Sequence, residues 1–192
     1  MQSRDYDRRQ YWSPVPRPDW VTTLNEQSQA LDLASLIPLT AESLIEQART
    51  NTGLTDFGDA GFANGNWRRH FDVLTTAIES EANLHCAGRM LTRSEFVRYL
   101  EARLSIVDCV KQYPAIAHEK IDAPILITGY GRSGTTILFE VLSQDPQFRA
   151  PKKWESLFPC PPPEEQSYLS DPRIEKTERI SEFSESTIPC LL

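Results

Sequence analysis

Ala123-Pro124-Ile125-Leu126-Ile127-Thr128 runs directly into Gly129-Tyr130-Gly131-Arg132-Ser133-Gly134-Thr135-Thr136, and the order of these two stretches decides the expected fold. The first is short, apolar and partly β-branched, the pattern of a buried parallel strand. After the glycines, Ile137, Leu138, Val141 and Leu142 form an apolar stripe that stops at Asp145-Pro146, which reads as a helix of two to three turns. Gly129 and Gly134 bracket four residues. Small residues at that spacing let backbone N–H groups wrap an anion while the following helix points its positive end inward.

Upstream the pattern is helical. Thr40 can cap a helix over 41–49, with Leu44, Ile45 and Ala48 on one face and Asn51-Thr52-Gly53 as the stop. Trp67, Phe71, Leu74 and Ile78 mark a second helix from 64 to about 83. Phe96, Leu100, Leu104, Val107 and Val110 mark a third, from about 92 to 112, ending before Pro114. The second and third are expected to pack as a pair. Residues 1–20 carry Pro14, Pro16 and Pro18 among charges and two tryptophans, an irregular arm that packs its aromatics on a neighbour. Past the glycine loop, Pro159 to Pro163 form a stiff connector and Asp171 to Phe183 a last polar helix. The expected fold class is therefore α/β: an incomplete P-loop-type parallel sheet preceded by a largely helical N-terminal region. Residues 1–120 form the helical region with its arm, and 121–192 the start of the α/β domain, truncated before the sheet is complete.

Bulk properties exclude several functions. The 192 residues are 40% hydrophobic and 24% charged, which fits a folded globular chain. Lys and Arg total 20 against 27 Asp and Glu, a net charge of -7 that disfavours nucleic acid as a partner, so any anion site must be local. The first dozen residues have neither a signal peptide's apolar core nor a transmembrane segment, and the expected location is cytoplasmic. Cys86, Cys109, Cys160 and Cys190 lack any Cys-x-x-Cys spacing, so reduced thiols are expected, with no zinc and no disulfide framework. His70, His85 and His118 have no metal-ligand spacing and are assigned no role.

The loop departs from a nucleoside triphosphate site in one respect. Thr135 and Thr136 stand where a lysine would grip the β- and γ-phosphates, and Arg132 places the cation inside the loop instead. A hydroxyl-rich loop with one internal cation suits a less charged terminal group, such as a 5′-phosphosulfate, without a metal. The strand, the Gly129 to Thr136 loop and the apolar helix resemble the donor-binding segment of sulfotransferases that use 3′-phosphoadenosine 5′-phosphosulfate (PAPS). The likeness continues through Gln144-Asp145-Pro146, Phe148-Arg149-Ala150-Pro151, Trp154-Glu155 and Phe158-Pro159-Cys160-Pro161-Pro162-Pro163, similar to the bacterial-type branch, and covers about residues 121 to 175.

The resemblance implies PAPS as co-substrate and a hydroxyl acceptor, whether a small molecule, a lipid or a carbohydrate. Gly131, Arg132, Ser133, Gly134, Thr135 and Thr136 would bind the donor, Arg132 steadying charge on the bridging oxygen. Glu155 falls where a carboxylate base stands in several members, and the acceptor hydroxyl needs such a base. The family's 3′-phosphate contacts and adenine region have no counterpart here, which implies a truncated member. Two other readings stay open: a P-loop nucleotide hydrolase or kinase, from the glycine spacing alone, and a non-catalytic fragment or interaction module.

Overall fold

The protein is described here by a computed structural model covering residues 16–58, 66–131 and 133–187. Eight α-helices follow one another among these residues: α1 (Asp19–Gln27), α2 (Leu33–Leu36), α3 (Ala41–Thr52), α4 (Trp67–Glu81), α5 (Cys86–Gln112), α6 (Thr135–Leu142), α7 (Lys153–Leu157) and α8 (Pro172–Thr187). Two short 3-10 turns, Pro114–His118 and Glu165–Ser167, connect them.

The first half is organised by α5. Thr40 caps α3, its hydroxyl accepting the Ser43 N–H at 3.4 Å, and Gly53 closes the helix in the left-handed region at φ 70, where a Cβ is costly. That α3 lies along α5. Leu44, Ile45 and Ala48 from α3 meet Val97, Leu100 and Leu104 from α5, with Phe57 closing the cluster. From α4, Trp67 and Phe71 pack against this core, and the Phe71 and Phe96 rings meet edge-on at 5.8 Å. Fully burying a side chain such as Leu44 or Leu104 contributes roughly 1.5–3 kcal/mol.

The three helices read from periodicity are present, and α5 is longer than its apolar stripe. It starts at Cys86, where the His85 ring accepts the Gly88 N–H at 3.1 Å and caps the helix. The extra turns went unread because their inward position is taken by Arg89, an arginine that periodicity counts as surface. Arg89 is buried. It donates to the Ile37 carbonyl at 2.9 and 3.1 Å and pairs with Glu79 of α4 at 2.7 Å, so the core edge is closed by a charge pair. Most of the expected N-terminal arm, residues 1–15 with Trp12, lies outside the described residues. Its last two residues, Asp19 and Trp20, open α1, and the Trp20 ring stands 6.3 Å from that of Phe183 in α8.

The parallel sheet is a correction. The described residues contain no β-strand, and Ala123–Thr128 runs without regular structure. A strand exists only as one rail of a hydrogen-bonded ladder. This run has no extended neighbour among the described residues, so its side chains stay in water: Leu126 is 82% and Ile125 56% exposed. Apolar, β-branched composition signals what a segment can do beside a partner and does not supply the partner. The loop and the helix that follow are formed nonetheless. No helix among the described residues is long and apolar enough to cross a membrane.

Candidate functional site

The glycine loop is shaped by two backbone requirements. The Ser133 N–H donates to the Tyr130 carbonyl at 3.2 Å, closing a tight turn, and Gly134 follows at φ 90, a conformation that L side chains rarely adopt. Gly129 has a different reason to lack a side chain. A Cβ there would stand 2.6 Å from Ser133 Oγ and 3.1 Å from a Thr135 methyl. The loop thus folds Ser133 and Thr135 back over Gly129, and a methyl would displace the hydroxyl.

Gly134 is the N-cap of α6, and the first intrahelical bond runs from the Leu138 N–H to the Gly134 carbonyl at 3.0 Å. The N–H groups of Thr135, Thr136 and Ile137 therefore have no partner within the helix. No side chain caps this start, whereas Thr40 and His85 cap α3 and α5. Open donors and the positive end of the helix make the position suited to an anion. Gly131, Ser133, Gly134 and Thr136 are exposed and Thr135 half-buried, so the cradle faces solvent. Arg132 lies outside the described residues.

Glu155 sits in a different setting. Its Oε2 accepts the Lys152 N–H at 2.7 Å and the Tyr168 hydroxyl at 3.2 Å, while Oε1 pairs with Arg149 at 2.5 Å. The side chain is 10% exposed. It is the third residue of α7, and by accepting the Lys152 N–H it closes that helix's start. Burial and the adjacent Glu155 charge both push the Tyr168 phenol above its ordinary range, so Tyr168 stays a donor to the carboxylate.

Beneath lies Trp154, buried, with the Tyr168 ring at 5.4 Å and the Arg173 guanidinium 4.7 Å from its ring centre. Arg173 also donates to the Phe158 and Pro161 carbonyls, at 3.0 and 2.6 Å, and holds Asp171 with a 2.6 Å ion pair. That guanidinium keeps the Asp171 carboxyl down at about 2. The contacts of Arg149 and Tyr168 with Glu155, and of Arg173 with Asp171, were not legible in advance, because sequence spacing says nothing about which polar groups converge on a given carboxylate.

The expected site residues thus fall into two clusters. The loop brings Gly129, Ser133, Gly134 and Thr135 together, and α7 brings Glu155 to Arg149 and Tyr168. Among the described residues no hydrogen bond or ion pair joins the loop to Arg149, Glu155 or Tyr168. Nor does any group of three or more His, Cys, Asp or Glu stand ready to hold a metal ion among those residues.

A glycine-bounded turn that leaves the first N–H groups of a helix uncapped defines an anion-cradling loop-helix unit. Comparison with known proteins says which kind. Residues 124–187 match the family model described as Sulfotransferase family, so this segment of the chain is similar to sulfotransferases. A crystal structure of sulfotransferase STF1 from Mycobacterium tuberculosis H37Rv is similar to it, at 31% sequence identity and a TM-score of 0.67. That match covers 78% of this chain, so it takes in helices that alone suggested no family. The chain spans 40% of the length of that solved structure. Among curated proteins, no sequence match is found.

Proposed function

We propose that this chain carries the donor-binding part of a sulfotransferase, taking PAPS as co-substrate and passing its sulfuryl group to the hydroxyl of a small-molecule, lipid or carbohydrate acceptor. The observation that supports it most is the uncapped start of α6 behind Gly129 and Gly134, inside the segment that matches the family. Gly131, Ser133, Gly134, Thr135 and Thr136 hold the 5′-phosphate through backbone N–H groups and hydroxyls, at a helix start that favours negative charge. Arg132 supplies the cation on the leaving side. No metal is needed for a group of this charge, and the chain acts in the cytoplasm.

Glu155 accepts the acceptor's proton. A base must be fixed in orientation before it is useful, and Lys152, Tyr168 and Arg149 fix this one from three directions. Arg149 is exposed, its side chain 70% accessible, so the Oε1 side is one that an incoming hydroxyl can reach.

Isothermal titration with adenosine 3′,5′-bisphosphate tests the donor site without requiring turnover. Saturable binding without magnesium is expected, weakened about tenfold or more by Gly129→Ala, or about 1.4 kcal/mol, with the helical circular dichroism unchanged. Absence of binding, or a magnesium-dependent ATP complex that PAPS does not displace, would overturn the reading and favour a nucleotide hydrolase or kinase.

A second reading, donor capture without turnover, draws on a specific feature: Ile121, Leu126, Tyr130 and Ile137 are largely exposed around the loop. Binding without sulfuryl transfer to any hydroxyl acceptor would select it.

A further inference from the structure

Where α8 lies over α1 and α5, the chain leaves a gap. Trp20 and Leu24 from α1, Met90 and Leu91 from α5, and Ile180 and Phe183 from α8 line a cavity of about 780 Å³, within the roughly 300–1,000 Å³ of small-molecule sites. Its wall on α8 runs from Pro172 to Ser184, about 18 Å at a rise of about 1.5 Å per residue, so the space is a groove that an extended chain can follow. Trp20, Met90 and Phe183 are each about half-exposed, and the Trp20 and Phe183 rings stand 6.3 Å apart. The glycine loop, Arg149, Glu155 and Tyr168 contribute nothing to the lining.

The two ends of the groove differ in polarity. Arg98, Glu101, Phe158 and Lys176 border both this groove and an adjoining cleft of about 290 Å³, which places them together at the end away from Trp20 and Phe183. Most of the lining charges are already matched. Glu95 pairs with Arg98 and Glu175 with Arg179, while Glu101 accepts an Asn51 amide hydrogen at 2.5 Å. Lys176 is left over. Its ammonium stands 4.1 Å from the centre of the Phe158 ring, and no carboxylate of the described residues lies within ion-pair distance of it. A ring face takes up only part of the hydrogen-bonding capacity of an ammonium, which carries three N–H donors.

We propose that this groove is a binding site for a single-chain anionic amphiphile, a long-chain carboxylate, with its tail along the apolar lining and its head on the Lys176 ammonium. A tail laid there takes its own apolar surface and that of Trp20, Met90 and Phe183 out of water together. Met90 suits such a chain, since an unbranched thioether adapts to an irregular apolar partner. With Glu95 and Glu175 held by arginines, the cation left for the head is Lys176, so the sign of the head group is read at one end and the tail along the rest. The site is independent of the donor reading, because it shares no residue with the glycine loop.

The test is to titrate the whole chain with dodecanoate below its micelle-forming concentration, following tryptophan fluorescence and heat. Saturable one-to-one binding is expected, undiminished by adenosine 3′,5′-bisphosphate. Dodecylammonium should bind more weakly, by about threefold to fivefold, with the gap narrowing as salt is added. Lys176→Glu, at an exposed position, should reverse that preference, and Ser94→Trp, which fills the groove from an exposed site on α5, should block both probes with helical circular dichroism unchanged. Val73→Ser removes an exposed apolar side chain on α4, outside the groove, and should leave binding as it was. Non-saturating uptake, equal affinity for the two head groups, displacement by adenosine 3′,5′-bisphosphate, or full binding by Ser94→Trp would overturn the proposal.

Discussion

The helical half and the segment around the glycine loop are built from equally apolar residues but hold them differently. In the first, Leu44, Ile45 and Leu104 are completely shielded, each facing helices on other sides. In the second, Ile121 is 84% exposed, Leu126 82% and Ile137 68%. The difference lies in neighbours. An amphipathic helix such as α5 finds its partners in α3 and α4 within the same stretch of chain, whereas a lone extended run and an eight-residue helix leave their apolar faces to solvent. Composition alone does not distinguish the two; only packing does.

The sharpest test of this contrast is Leu104→Ala, which opens a cavity where α3 meets α5 and should cost about 3–5 kcal/mol in denaturant unfolding. A loss below about 1 kcal/mol would mean that the α3–α5 core is not close-packed. Next comes Glu79→Ala, which strands the buried Arg89 charge at the edge of the same core; about 3 kcal/mol is expected from the same measurement. Wild-type stability in that variant would show that Arg89 finds water easily.

A smaller effect is expected at the seam between α7 and α8. Arg173 lowers the Asp171 carboxyl to about 2, so the stabilisation is complete above the unfolded value near 4 and is lost as pH falls from about 4 to 2. Acid titration followed by circular dichroism should show this loss, and Asp171→Asn should flatten the curve across that window. An unchanged curve in the variant would show that this pair does not couple to folding. Smallest of all is Ile137→Ala on α6, expected within about 0.5 kcal/mol because the side chain already faces water. A cost of several kcal/mol would show that this face is covered in solution and would erase the contrast.

The start of α3 was readable to the residue, because Thr40 carries its own signal, whereas the helix runs on from the expected end at 49 to Thr52, directly before its left-handed Gly53 cap. The beginning of α5 was not readable, since Arg89 occupies an inward position and only tertiary partners at Ile37 and Glu79 make that tolerable. Within the candidate site, the loop glycines declared themselves through conformational need at Gly134 and crowding at Gly129. Glu155 was found by likeness, but its three hydrogen-bond partners come from positions that no periodicity connects. The expected sheet failed for the opposite reason: local pattern was sufficient to suggest a strand, and a strand is not a local structure.

By itself, the sequence determined the turns and helices whose causes are short-range: a cap, a left-handed glycine, an apolar stripe, a bracketed loop. The tertiary structure alone decided which apolar faces were shielded and which arginine could be buried. Those outcomes depend on free-energy differences between groups far apart in the chain, where closing the intervening loop costs entropy that only collective packing offsets.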